Sequence, residues 1–369
     1  MSKNYIIIFI IISIFIFMTS FYFIIKNTKN NKKNLIIGFI FNYSWSRVRN
    51  YFISLAKVGF KNCDIVMFVK GLSRDTLEKI KSFGVIIYPI PDNPFFYKNS
   101  LCYRWEVYAN FLKENKDKYN IVFTCDIRDS IFQKDIFEYY NYDKPFFGVG
   151  LEDFILSNKL NKAWLLKIVD ENLFYNFFAN KPVICAGVLI GTPDKFIELQ
   201  SAFKKIYERK IITADQGILN YLIYYEKLFN DSLIVRDHYN GYIMSLAGTN
   251  RARLNLDKDD NVLNYNGQIA AVVHQYDRHY DITYKFNRKF NERNFNFSSY
   301  KKESLINVKL TTNKIIIIIF IFIIIIAIII YIFHKLKNYY QKLNKKRRKT
   351  RIKIYRKKRK KKKHSYIQL

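Results

Sequence analysis

Apolar and polar positions alternate along residues 35–125 in blocks that predict strands and helices in turn. Short, almost uniformly apolar runs predict buried strands over 35–41, 65–69, 85–88 and 121–125. Between them, apolar residues recur every three or four positions and predict helices over 46–58, 74–83 and 101–112. Strands that alternate with helices are typical of a mostly parallel sheet covered on both faces.

The second half of the chain is less regular but continues the alternation. It predicts strands over 145–151, 183–190 and 272–274, and helices over 158–178, 192–209 and 214–224. The sequence therefore predicts an α/β fold with a Rossmann-like, mostly parallel sheet and flanking helices. In such open sheets, ligands bind beyond the carboxyl ends of the strands.

Two long apolar segments bracket this alternating region. Residues 5–25 carry no charge, and a helix of that length rises about 31 Å, enough to cross a hydrocarbon core of about 30 Å. Residues 315–333 form a second such stretch, almost entirely Ile and Phe. The pattern predicts a cytosolic segment 1–4, a transmembrane signal anchor 5–25, a basic linker 26–34, a folded domain 35–281, a basic aromatic stalk 282–314, a transmembrane helix 315–333 and a polybasic tail 334–369.

Charge is distributed unevenly along the chain. The formal net charge is +32, and residues 335–369 contain 18 Lys and Arg but no acidic residue. Because basic flanks favour the cytosolic side, this bias predicts an integral membrane protein with a cytosolic tail and a luminal (ER/Golgi) or exterior domain. Asn42, Asn230 and Asn296 begin sequons that would permit glycosylation there.

Composition narrows the class of protein further. Half of the residues are hydrophobic, which excludes a disordered polyelectrolyte, and the four Cys form no CxxC pair, which argues against a zinc ribbon. The basic tail is open to three interpretations: a stop-transfer flank, a site for anionic membrane lipids, or a nucleic-acid-binding segment. Nucleic acid is the least favoured partner because aromatic residues for base stacking are sparse in the tail.

The main candidate for chemistry follows the strand predicted at 121–125. Asp126 and Asp129 come directly after this strand, and two carboxylates on a strand-end turn can bind a divalent cation through oxygen. Such an ion can neutralise a diphosphate leaving group. The structural alternative is that Asp126 caps the following turn and that Asp129 pairs with Arg128.

Three further motifs place polar or small residues where a ligand could enter. His274 is the last residue of the predicted strand 272–274. It could be a third metal ligand or a structural histidine. Asp215 and Gln216 open a helix at one rim of the sheet. Gly187 lies inside the predicted strand 183–190, where a ligand can approach the backbone closely.

Taken in chain order, these motifs carry a resemblance to a known family. Arg104 on a helix, DIRD at 126–129, CAGV at 185–188, ADQGILNY at 214–221 and VVHQYDR at 272–278 resemble GT-A glycosyltransferases, close to glycosyltransferase family 8 and other nucleotide-diphospho-sugar transferases. The resemblance covers residues 35–281, about two-thirds of the chain. The departure is the metal motif: the family has DxD, and carboxylates three residues apart need a turn to converge.

The resemblance implies a role for each candidate residue. The metal would be bound by Asp126, Asp129 and His274. The nucleotide would be bound by Asn42, Tyr43, Arg104, Asp126 and Gly187. The catalytic pair would be Asp215 and Gln216, in contact with the sugar near the reacting carbon. Arg104 would steady the DIRD loop or the diphosphate. The implied cofactor is a divalent metal, manganese by analogy, and the implied donor is a nucleotide-diphosphate sugar.

Together these features predict a membrane-anchored glycosyltransferase. It would move a sugar, with retention of the anomeric centre, to a hydroxyl of a glycan, a protein or a lipid. Two alternatives remain open. The domain could be a catalytically inactive GT-A-like binding or scaffold module, which the DxxD departure favours. The chain could instead be a membrane-anchored structural protein whose basic tail binds lipid or nucleic acid.

Overall fold

The computed structural model describes residues 32–140, 142–209, 213–295, 331 and 334–349. The chain divides into two compact units, Met1–Lys301 and Lys302–Leu369, and the described part of the second unit includes a helix over 334–349. The predicted transmembrane segments 5–25 and 315–333 lie outside the described residues, except for Tyr331. Within the described ranges, no helix has both the length and the apolar character needed to cross a membrane.

The first unit is built on one ten-stranded sheet. Its strands are β1 (Lys33–Phe41), β2 (Cys63–Lys70), β3 (Ile86–Pro89), β4 (Tyr119–Cys125), β5 (Ser130–Phe132), β6 (Phe147–Ile155), β7 (Pro182–Gly191), β8 (Leu233–Arg236), β9 (Ile243–Ser245) and β10 (Val272–His274). Their order in space is β3, β2, β1, β4, β7, β6, β9, β10 and β5, with β8 beside β6.

Helices connect and cover these strands. They are α1 (Trp45–Val58), α2 (Arg74–Ser82), α3 (Pro94–Lys98), α4 (Ser100–Asn115), α5 (Lys159–Leu165), α6 (Glu171–Leu173, followed by a π-helical turn at Phe174–Phe178), α7 (Pro193–Glu208), α8 (Asp215–Tyr224) and α9 (Tyr280–Lys289). Short 3₁₀ turns lie at Lys116–Lys118, Ile136–Tyr139, Arg251–Arg253, Tyr276–Arg278 and Glu292–Asn294.

The sheet is mixed rather than uniformly parallel. Strands β3, β2, β1 and β4 run parallel to one another, whereas β7 lies antiparallel between β4 and β6 and β5 is antiparallel to β10. The predicted α/β, Rossmann-like sheet with flanking helices is confirmed and fits a GT-A fold. The predicted predominance of parallel pairing is confirmed, since β6 is also parallel to β8 and β9, and β9 to β10. Among the described strands, antiparallel pairing is confined to β7 and β5, because a strand's direction depends on how the chain returns to the sheet.

The alternation of side chains along β1 explains why its sequence is continuously apolar. Ile36 and Ile40 pack into one core with residues of α1, whereas Leu35 and Ile37 pack into a second core with residues of α4. All four are fully buried. Both faces of the strand are therefore covered, as is typical of a sheet between two helical layers.

The predicted stalk at 282–314 is wrong over its first part. Residues 280–289 form α9, and Ile282 and Phe286 are fully buried in the core beside α1. Further along, Glu292 accepts a hydrogen bond from Trp45 at 2.8 Å. The folded domain therefore extends through residue 295, because the apolar residues of this segment recur at helical spacing and close one side of the core. At the other end, the domain begins at β1 with Lys33, inside the predicted linker.

Candidate active site

Asp126, Asp129 and His274 converge at the end of β4. Asp126 follows β4 directly, and residues 126–129 turn back into β5, whose first residue Ser130 pairs with His274 of β10. His274 Nε2 lies 3.6 Å from Asp126 Oδ2 and 3.7 Å from Asp129 Oδ1. One ligand atom from each residue lies within 4.8 Å of the others. The turn thus brings carboxylates three residues apart onto one imidazole.

The donor atoms of this triad fit a divalent cation. Asp129 and His274 are buried, with 5% and 1% of their side chains exposed. Among the described residues, Asp129 Oδ1 and His274 Nε2 find no hydrogen-bond partner. Buried polar atoms without partners are costly, and these two face each other. Two carboxylate oxygens and one imidazole nitrogen are ligands that Mn²⁺ accepts.

The charges in the triad are strongly coupled. Burial opposes ionisation of Asp126, but the Arg104 guanidinium and His274 together outweigh it and hold the pKa of that carboxyl below its usual range. Burial raises the pKa of Asp129, and the His274 charge only partly offsets this. Burial disfavours charge on His274, yet the neighbouring Cys185, Asp126 and Asp129 raise its pKa overall. A cation between these groups would replace that imidazole proton.

Arg104 ties the triad to the start of α8. Its guanidinium bonds Asp126 Oδ1 at 2.5 Å, Asp215 Oδ2 at 2.6 and 3.1 Å, and the Ala186 carbonyl at 3.1 Å. Trp105 Nε1 also donates to Asp215 Oδ2 at 3.2 Å. Asp126 is therefore held by an arginine rather than used as a turn cap, and Arg104 steadies the DIRD loop.

Asp215 and Gln216 are engaged with the protein itself. The Asp215 side chain is only 6% exposed. Gln216 Oε1 accepts from the Ala186 amide at 3.2 Å, and its Nε2 donates to Asn161 Oδ1 at 3.0 Å. The pair opens α8, as predicted, and lies beside β7 with its polar atoms bonded to protein partners. Contact of these residues with a sugar remains a prediction.

A cleft of about 260 Å³ opens beside Asp126 and Asp129. Its walls include Phe39, Phe41 and Tyr43 from the end of β1 and the loop after it. Tyr43 and Arg104 therefore line the same cleft as the acidic pair, and their contact with a nucleotide stays a prediction. Asn42 is not among the residues that line this cleft: it adopts a left-handed backbone with φ of 55°, and its side chain lies against Gly71.

Two residues that matter for this site were not singled out as candidates from the sequence. Glu152 of β6 is buried, its Oε1 finds no hydrogen-bond partner in the described part of the chain, and burial raises its pKa. The predicted strand ended at Leu151, one residue before it. Arg128 was considered only as a structural partner of Asp129. That ion pair is present, with Nη2 at 2.8 Å from Asp129 Oδ2, and Arg128 also lines the cleft.

Gly187 is the position where the site tolerates no side chain. A methyl group there would lie 2.3 Å from His274 Cε1 and 2.9 Å from Asp126 Oδ2. The Gly187→Ala variant is expected to lose roughly 1–3 kcal/mol of unfolding free energy through overpacking and to bind Mn²⁺ more weakly. Urea unfolding and Mn²⁺ titration of the full-length chain measure both effects.

The matched control for this prediction is Gly150→Ala. Gly150 is also a buried strand glycine, but a methyl group there meets its nearest atom at 3.6 Å, an ordinary contact. Equal losses of stability and of Mn²⁺ affinity in the two variants would contradict the special role of Gly187.

Comparison with known proteins returns similarity only at the level of structure. No protein-family model and no curated protein matches the chain. The galactosyltransferase LgtC, in complex with donor and acceptor sugar analogues, is 16% identical with a TM-score of 0.42, over 69% of this chain and 95% of that one. The glycosyltransferase GlyE of Streptococcus pneumoniae is 11% identical with a TM-score of 0.45, over 75% and 64% of the two chains.

The bifunctional glycosyltransferase WbbM is similarly distant. It is 13% identical with a TM-score of 0.45, over 71% of this chain and 50% of that one. At such identities these likenesses concern the fold alone. The assignment to glycosyltransferase family 8 stays a prediction.

Proposed function

We propose that the chain is a glycosyltransferase that moves a sugar from a nucleotide-diphosphate donor to an acceptor hydroxyl, with a divalent cation held by Asp126, Asp129 and His274. The observation that carries the proposal is the convergence of these three residues, two of them with unpartnered buried atoms, beside a cleft at a strand end. Strand ends are where α/β sheets bind nucleotides. When bound, the cation would neutralise charge on the diphosphate leaving group.

The surrounding residues support this use of the cleft. Phe39, Phe41 and Tyr43 give it an aromatic wall suited to a base or ribose. Arg104 fixes one cation ligand by its bond to Asp126 and joins it to Asp215. We assign Asp215 the role of a positioning residue that acts through Arg104. Gln216 would approach the sugar only if it exchanged its present protein partners for the ligand.

The finer features follow from the sequence and belong to the same proposal. The resemblance to family 8 favours manganese and retention of the anomeric centre. The apolar segments 5–25 and 315–333 favour a twice-anchored domain on the luminal or exterior side, with anionic lipid at the polybasic tail. The exposed Asn42 and Asn230 are accessible for glycosylation on that side. The acceptor is a hydroxyl of a glycan, a protein or a lipid.

A nucleotide-sugar screen on the full-length chain in detergent tests the proposal. With Mn²⁺, at least one nucleotide-diphosphate sugar is expected to raise the unfolding temperature and to be hydrolysed slowly to the nucleoside diphosphate. Removal of the metal with EDTA is expected to abolish hydrolysis, because the leaving group loses its counter-charge. Differential scanning fluorimetry and detection of the released nucleotide are the measurements.

The outcomes separate an enzyme from a scaffold. Binding of a nucleotide-sugar without hydrolysis or transfer would favour the catalytically inactive module. The ion pairs Arg104–Asp126 and Arg128–Asp129 also support that alternative, because both carboxylates already have a protein partner. Absence of any thermal shift across the panel, in a chain that unfolds cooperatively, would rule against a nucleotide-sugar site.

A further inference from the structure

We propose that Arg128 is the phosphate-binding arginine of the cleft and that it lets the chain hold a diphosphate before a divalent cation is bound. The inference rests on the proposed function, since it assigns a residue to the diphosphate of the donor. Arg128 stands between the two carboxylates of the DIRD turn and lines the cleft beside them. A guanidinium is the side chain best matched to two phosphate oxygens at once.

Arg104, the other arginine of the cleft, is already committed to the protein. Four hydrogen bonds run from its guanidinium to Asp126, Asp215 and the Ala186 carbonyl. An arginine has five N–H donors, so one remains. Only 8% of its side chain is exposed. Arg104 therefore positions Asp126 and has little capacity left for a ligand.

Arg128 has the donors and the exposure that Arg104 lacks. About a third of its side chain is exposed, at 34%. Its Nη2 bonds Asp129 Oδ2 at 2.8 Å and lies 3.4 Å from Asp277 Oδ2. Its Nε is buried and finds no hydrogen-bond partner among the described residues. The part of the guanidinium that lines the cleft can offer N–H donors to a phosphate oxygen there.

The arrangement also keeps the unloaded cleft from repelling a diphosphate. Asp126 is paired with Arg104 and Asp129 with Arg128, so each carboxylate of the turn has an arginine counter-charge, although Arg104 also pairs with Asp215 and Arg128 lies near Asp277. Two unpaired carboxylates at the same place would repel phosphate at short range. The paired turn presents Arg128 to an anion without that penalty.

Arginine and cation would use different oxygens of the same carboxylate. Asp129 Oδ2 accepts from Arg128, while Oδ1 has no hydrogen-bond partner within the described ranges and faces His274 Nε2 at 3.7 Å. Arg128 can therefore stay in place when a cation binds on the Oδ1 side. Diphosphate binding by the arginine and cation binding by the triad are two separable properties of this turn.

Calorimetry of the full-length chain, stripped of metal with EDTA, tests this. Inorganic pyrophosphate is the probe for the metal-free site, Mn²⁺ alone for the triad, and UDP with Mn²⁺ for the proposed function. Metal-free wild type is expected to bind pyrophosphate, and Arg128→Gln to weaken that binding by about tenfold or more, since a charge-assisted bidentate contact is lost. Arg128→Lys should fall between them, because it keeps the charge but not the fork.

The control is Arg251→Gln, which removes an arginine that pairs with Asp281 and does not line the cleft. It should leave pyrophosphate binding unchanged, and unfolding temperatures establish that each variant is folded. Two results would overturn the inference. Metal-free wild type could fail to bind pyrophosphate, or wild type and both Arg128 variants could bind it equally well. If UDP with Mn²⁺ still binds in that case, the proposed function stands; if wild type binds neither probe, the proposed function fails as well.

Discussion

Replacing Asp129 by asparagine is expected to weaken Mn²⁺ binding by at least about a hundredfold, since even partners of metal ligands contribute 10- to 100-fold. The substitution keeps the shape of the side chain but removes its charge. The Asp129 carboxylate lies opposite His274, and only 5% of the side chain is exposed. Metal-dependent hydrolysis of the donor should fall below detection with it. Mn²⁺ titration followed by electron paramagnetic resonance, together with the hydrolysis assay, measures the two effects.

Asp281→Asn is the control for this prediction. Asp281 also pairs with an arginine, Arg251 at 2.6 Å, but is half exposed and does not belong to the triad. Its variant should bind Mn²⁺ as wild type does. Unchanged Mn²⁺ affinity in Asp129→Asn would remove Asp129 from the cation site and return it to the structural role of an arginine partner.

Replacing Arg104 by glutamine is expected to cost about 3–5 kcal/mol of unfolding free energy, the usual loss when one partner of a buried ion pair is removed. Arg104 and Asp215 are both nearly inaccessible, with 8% and 6% of their side chains exposed. The variant leaves Asp215 charged in the interior with Trp105 and a backbone amide as its remaining donors. Urea unfolding of the full-length chain, followed by tryptophan fluorescence, measures the loss.

Two companion variants make this result interpretable. Arg251→Gln breaks an exposed ion pair and should cost less than about 1 kcal/mol. Asp215→Asn, added to Arg104→Gln, should recover part of the lost stability because it removes the uncompensated charge. A double variant that is no more stable than Arg104→Gln alone would show that the Arg104–Asp215 contact is not a coupled pair.

The regular elements of the first half could be predicted from the sequence because each is long and strongly patterned. The strand predicted at 121–125 and the helix at 46–58 match β4 and α1 to within two residues. By contrast, β5, β8 and β9 are three or four residues long. A run that short shows no period, and these strands form because neighbouring strands offer them hydrogen bonds. The equally short β10 could be predicted because it belongs to the longer apolar run 270–273.

The candidate site was predictable in its parts but not in its assembly. The position of Asp126 after an apolar strand and of His274 at the end of another identified both as residues at a sheet edge. The DxxD spacing did not reveal that residues 126–129 would turn back into β5 and pair with β10. Nor could it distinguish the pairing of Asp129 with Arg128 from cation binding, and the structure shows that separate oxygens allow both.

Three features can be read directly from the amino-acid sequence: the alternation of apolar strands and amphipathic helices, the concentration of positive charge at the carboxyl end, and the residue types able to bind a cation. These are local properties, fixed by the period of the side chains and by their chemistry. The tertiary structure decided the antiparallel insertion of β7, the packing of α9 on the core, and the meeting of Asp129 with His274. Those depend on which strands pair in space, because hydrogen bonding between strands brings together residues that are distant along the chain.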